Sequence, residues 1–179
     1  MSMAELIQEI GEMWLWNSFV LAFVLTIAFA DARWRIIPRT FTLAGLLAGL
    51  GFHAFYGGFL SSLLTAGAAF AIGLGFYELR AIGGGDVKLI TALGAMLGFE
   101  KWVLALEIAI VLAAVMALAG IIRRKIFLQT LRNVGRLIKH FLTQGFKPHP
   151  EIQVSNSSLV RVPFGVAAAV GTFCTVVLR

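Results

Sequence analysis

Six apolar stretches, each about as long as a helix must be to cross a lipid bilayer, follow one another along this chain with mostly short connections. They cover residues 14–30, 41–56, 60–77, 81–99, 102–122 and 163–178. A soluble domain of 179 residues cannot hide them all, because roughly 30% of the unfolded chain's surface stays exposed after folding. The balance of residue types agrees: 59% are hydrophobic and 13% charged, with a mean hydropathy of +0.89. Lipid is therefore the expected solvent. Residues 1–179 read as one membrane-embedded, all-α domain of about six transmembrane helices. β-Strands are not expected, since the stretches lack the alternation of a membrane barrel. They are instead rich in Gly and Ala, which let helices approach closely, as at Gly45 with Gly49 and Gly73 with Gly75.

If all six stretches cross, three connections share one side. They carry Arg33, Arg35 and Arg39; Arg80 and Lys88; and, in the basic loop 123–162, Arg123, Arg124, Lys125, Arg132, Arg136, Lys139, Lys147 and Arg161. Thirteen cations thus stand against two, Lys101 and Arg179, and the rich side is expected to be the cytoplasm. The net charge of +6 then reports cytoplasmic loops, and no nucleic-acid partner is expected. Residues 126–142 place Phe127, Leu131, Val134, Ile138 and Phe141 on one helical face and Arg132, Arg136 and Lys139 off it, the pattern of an in-plane amphipathic helix. Such a helix is either a dock for substrate or anionic lipid, or a basic helix resting on the cytoplasmic leaflet. Residues 145–161, with Pro148, Pro150 and the run SNSS, read as an exposed, mobile loop. The first dozen residues hold three glutamates and neither Lys nor Arg, unlike a cleavable signal, so the first apolar stretch is expected to be retained. Cys174 is the only cysteine, which excludes an internal disulfide and a four-cysteine zinc site.

Carboxylates at membrane depth are costly and are functional candidates for that reason. Asp31 ends the first stretch in FADARWRIIPRTF, and Asp86 follows three glycines in AIGGGDVKLITALGAMLG. Two complete stretches lie between them, and an even number of crossings returns the chain to its starting side. Both acids therefore belong at the cytoplasmic boundary. Gly83, Gly84 and Gly85 permit positive φ and close backbone approach, which suits an extended peptide lying beside Asp86. Pro38 forces Ile37 toward extended geometry and sets the start of the second helix. Two carboxyls within about 3 Å cannot both ionise, so one keeps a proton and the pair can activate water as base and acid together. The ordinary alternatives are a helix-end Asp31 paired with Arg33 or Arg35 and an N-cap Asp86. A phosphate loop is not expected, for it needs Gly-Lys-Ser or Gly-Lys-Thr where this chain has an acid.

These residues carry a resemblance. GGGD at 83–86, followed by VKL, resembles the Gly-x-Gly-Asp motif of membrane aspartic proteases. Asp31 with Ile37-Pro38 resembles the first catalytic aspartate of type IV prepilin peptidases, and VPFGVAAAVG at 162–171 is similar to the Pro-Phe/Tyr-Gly segment of that family's last helix. The three segments keep the family's order and spacing over about residues 14–178. The resemblance implies an aspartic endopeptidase of the bacterial inner membrane, its site facing the cytoplasm, that cleaves prepilins after a glycine ahead of their hydrophobic segment. It implies Asp31 and Asp86 as the catalytic pair, and Gly83, Gly84, Gly85, Lys88, Pro38, Pro163 and Gly165 as motif or substrate-binding positions. Membrane lipid and prepilin are the implied partners, with no metal or organic cofactor. Arg39 stands where the family usually has Asn or Asp. With one cysteine the chain has no Cys-x-x-Cys module, so it is most similar to the short peptidases of tight-adherence (Flp) pilus systems, which lack an obvious methyltransferase. Presenilin-type proteases share Gly-x-Gly-Asp but lack the Ile-Pro segment.

Outside those motifs, Glu107 lies mid-stretch and is expected to face the bundle interior or be protonated. His53 reads as interfacial, and Trp14, Trp16, Trp102 and Tyr56 as members of an outer aromatic belt. Lys88 follows Asp86 by two and points away from it on a helix. The competing functional class is a non-enzymatic membrane protein, a cation-coupled transporter or a pilus-assembly subunit, whose acids bind an ion. Against it stand acids at one boundary rather than the midplane and the lack of an internal repeat.

Overall fold

The computed structural model describes residues 3–145 and 162–178, without the side chains of residues 3–10, 141 and 144. The loop expected at 145–161 therefore lies almost wholly outside the described residues. Within them the chain is helical throughout, with no strand: α1 (Met3–Trp34), α2 (Arg39–Tyr56), α3 (Phe59–Glu78), α4 (Gly84–Leu97), α5 (Phe99–Arg123), α6 (Phe127–Gln144) and α7 (Phe164–Val177). Each apolar stretch forms a helix, and α6 coincides with the amphipathic segment.

Three segments are long and apolar enough to cross a membrane by length and composition: Gly11–Trp34, Phe59–Glu78 and Phe99–Arg123. The fourth helix is shorter than its apolar stretch, because Gly83 caps it in extended geometry at φ −82° and helix begins only at Gly84. At 1.5 Å per residue α4 is about 21 Å long, less than the roughly 30 Å of a hydrocarbon core. The 14 residues of α7 have the same reach.

α4 occupies the centre. Val87 and every residue from Leu89 to Met96 are buried in it, so it is apolar on all sides. α2 and α3 cover one flank and α5 and α7 the other, while α1 packs chiefly on α7. Glycines make these crossings close. A Cβ on Gly49 would stand 2.7 Å from the Ala95 backbone, and one on Gly171 would collide with the Ala105 carbonyl oxygen. Gly45 receives the Phe23 ring and Gly73 the side chains of Val87 and Ile90. Gly75, expected to act with Gly73, meets nothing within 4 Å.

Polar side chains tie the ends of α4 to its neighbours. Ala95 and Met96 are among the last four residues of the helix, whose carbonyls have no partner within it. Ser62 Oγ donates to the Ala95 oxygen at 2.7 Å and Trp16 Nε1 to that of Met96 at 3.3 Å. Trp102 is 4% exposed and donates to the Ile90 carbonyl at 3.0 Å, so it is a core residue and not part of a belt. Trp14 and Tyr56 are exposed as a belt requires, whereas Trp16 stacks on Phe52.

The three long helices close in a shared way. Arg35, Arg80 and Lys125, just past the ends of α1, α3 and α5, take φ of +54°, +56° and +56°. After α3 and α5 the two bonds of a Schellman turn form, with Ala81 and Ile126 N–H on the carbonyls of Phe76 and Ile121 and with Arg80 and Lys125 N–H on those of Tyr77 and Ile122. Arg35 makes the simpler bond to the Asp31 carbonyl. Glycine is the usual occupant of such a position, yet a cation stands at all three.

Candidate active site

Asp31 lies in the last turn of α1 and is 7% exposed. Its Oδ2 accepts a hydrogen bond of 2.6 Å from the N–H of Gly165, 134 residues away. The donor is fixed by local chemistry. Pro163 caps α7 with φ −70° and has no side chain able to accept from the first turn, so N–H groups there are left unpaired. Asp31 supplies the missing acceptor from another helix. Gly165 must be glycine for this contact, since a Cβ there would stand 2.9 Å from both Cβ and Oδ2 of Asp31.

Asp86 is half-buried in the first turn of α4. Its Oδ2 accepts from the Gly83 N–H at 3.1 Å, one half of a capping box whose other half Gly83 cannot return. The acid is thus the third residue of the helix rather than its N-cap. None of Gly83, Gly84 and Gly85 has positive φ, so the glycines do not serve the conformational role expected of them. They serve contact. A Cβ at Gly85 would stand 3.1 Å from the Cβ of Ile37, and one at Gly84 at an ordinary 3.5 Å from the Tyr77 ring.

That Ile37 contact joins the two halves of the site. Arg35 turns the chain out of α1, Ile37 packs on the start of α4, and Pro38 caps α2 with φ −65°. The charge of Asp31 is felt at Asp86, and that of Arg35 at Asp31. Each carboxylate has one oxygen held by a main-chain N–H, and its other oxygen makes no hydrogen bond to a described residue.

Of the expected positions, Asp31 pairs with Gly165 next to Pro163, Asp86 pairs with Gly83, and Gly85 packs on Ile37 next to Pro38. Lys88 does not join them: it is exposed on the far side of α4 from Asp86. Glu107 is also exposed, on the outer face of α5 and not toward the interior, with no hydrogen bond or ion pair to a described residue. Sequence reasoning missed Tyr77 and the anchoring role of the Gly165 N–H. The second was within reach, as a Pro-x-Gly opening a helix signals free donors, but nothing local names the acceptor.

Residues 18–118, more than half the chain, match the model of a family described as the type IV leader peptidase family. The match contains both aspartates and ends inside α5. No curated protein and no solved structure matches the chain.

Proposed function

Because the chain belongs to the type IV leader peptidase family, we propose that it is an aspartic endopeptidase that removes the leader from Flp-type prepilins on an Asp31–Asp86 dyad. As a member of that family it is a membrane peptidase for prepilin-type leaders. The observation that carries the finer reading is the pair of carboxylates, each anchored by one oxygen on a main-chain N–H at a helix start, with the charge of Asp31 felt at Asp86.

In the proposed reaction one carboxyl is ionised and the other protonated. The ionised member takes a proton from water as the water oxygen attacks the scissile carbonyl carbon, and the protonated member gives its proton to the carbonyl oxygen. Collapse of the tetrahedral species breaks the C–N bond, and the leaving nitrogen takes up the proton first removed from water. The main-chain donors restrict the rotation of both carboxyls, which would help to hold them in place for the reaction. The acid-bearing ends are read as the cytoplasmic boundary of a six-crossing bundle, since thirteen of the 15 Lys and Arg fall on that side. The proposed activity is leader cleavage.

Co-expression with a Flp-type prepilin, followed by mass measurement of the product's amino terminus, tests this reading. The wild type should trim the leader, while Asp31→Asn and Asp86→Asn should each abolish trimming with insertion and expression intact, because a dyad works only as a unit. Cleavage near the wild-type level in either variant would sink the assignment.

A further inference from the structure

α6 is the least engaged helix of the molecule, packing only lightly on α5. Its position is nonetheless defined by the chain. α4 starts at the aspartate end, α5 follows it after Gly98 alone and runs back, so α5 ends and α6 begins at the aspartate end. The Schellman turn at Arg124–Ile126 then leads the chain out of the bundle.

Two stripes mark its surface. Phe127, Leu131, Val134, Ile138 and Leu142 repeat at helical spacing, and all five are exposed, Leu142 at 82%. About 130° round the helix, Arg132, Arg136 and Lys139 form a second exposed stripe. Arg123, Arg124 and Lys125 add three cations at its root. No acid occurs between Glu107 and Glu151, so the segment carrying these charges is purely cationic along the chain.

A surface that answers both stripes must be apolar and anionic within the width of one helix. Nucleic acid or an acidic protein segment would satisfy the cations and leave the apolar stripe in water. A neutral protein groove would do the reverse. The headgroup region of a bilayer containing anionic lipid satisfies both, with hydrocarbon under the apolar stripe and phosphates level with the cations. The root of α6 is already at a membrane boundary, because the apolar segment Phe99–Arg123 ends there. We infer that α6 lies in the membrane surface and binds anionic phospholipid headgroups through Arg132, Arg136 and Lys139, so that its seating depends on lipid charge. This inference does not rest on the peptidase chemistry.

The test uses the full-length protein in a Cys174→Ala background, with single cysteines spin-labelled at Leu131, Val134 and Ile138 or at Gln129 and Asn133. Vesicles of phosphatidylglycerol with phosphatidylethanolamine are compared with phosphatidylcholine alone. Collision with oxygen relative to a water-soluble nickel chelate should be at least fivefold higher at 131, 134 and 138 than at 129 and 133 in the anionic vesicles. That contrast should fall at least twofold in phosphatidylcholine, and likewise in anionic vesicles for the triple variant Arg132→Gln, Arg136→Gln, Lys139→Gln. Equal accessibility at all five positions would overturn the inference, and so would exclusion of both reagents from the apolar stripe, the mark of a protein occupant. A contrast that persists unchanged in phosphatidylcholine and in the triple variant would overturn the anionic-lipid assignment. Size-exclusion monodispersity of the variants shows that the bundle is retained.

Discussion

At the residue scale, the site depends on side chains that are missing as much as on those present. Asp31 can receive the Gly165 N–H at 2.6 Å only because position 165 carries no Cβ. Gly165→Ala would push the start of α7 off the carboxylate and misplace an acid whose identity is unchanged. Leader cleavage should fall about 10²-fold, the cost of an ångström-scale displacement at a reacting centre. Overpacking should lower stability by about 1–3 kcal/mol. Gly84→Ala is the internal control, since its Cβ would touch Tyr77 at an ordinary 3.5 Å and should leave cleavage within about twofold. Side-by-side cleavage assays and thermal melts of the two variants check this. Equal losses would mean that any methyl group in the motif is harmful and that the Asp31 contact is not special. The sequence marked Asp31 and Asp86 by their placement in apolar surroundings, but not their anchors. A main-chain donor from a distant helix leaves no trace in local composition, and the glycine triplet pointed to positive φ where the fold instead uses close contact.

At the scale of elements, helix positions were legible because an apolar run in lipid has few alternatives to helix. Helix ends were less so. α4 begins three residues later than its apolar stretch, as Gly83 adopts extended geometry to donate to Asp86. The αL residues that end α1, α3 and α5 escaped notice because the usual marker is glycine, and here cations occupy those positions. Their placement is consistent with a chain that needs positive charge at this boundary more than it needs relaxed backbone. Lys125→Gly should therefore raise stability in detergent by about 1 kcal/mol, through relief of the αL penalty, as measured by thermal melting. A loss of stability instead would show that the Lys125 side chain contributes more than its backbone conformation costs.

On the scale of the whole molecule, the pairing of helices was not legible, since a core-facing leucine and a lipid-facing leucine answer to equally apolar surroundings. Glu107 illustrates the gap. A mid-span acid is expected to face the interior or be protonated, and Glu107 does not take the first course, for it stands exposed on α5. Facing hydrocarbon, an unpaired carboxyl opposes insertion, so Glu107→Leu should raise thermal stability and leave cleavage within about twofold. A drop in either would reveal a polar partner for that face, such as another helix in the membrane. The arrangement of the whole chain across the bilayer yields the last prediction. Phe55 and Ala81 flank α3, both exposed, and Thr143 is exposed near the end of α6. If each of the six apolar helices crosses, residue 55 faces one side while 81 and 143 share the other with the aspartates. The thirteen cations assign that second side to the cytoplasm. In intact cells carrying a Cys174→Ala protein, a membrane-impermeant maleimide should label Phe55→Cys and spare both Ala81→Cys and Thr143→Cys until the membrane is opened. Labelling of residue 81 from outside would invert the bundle. Labelling of residue 143 alone would mean that the end of α6 does not share the side of the aspartates, against the return of α5 to that end.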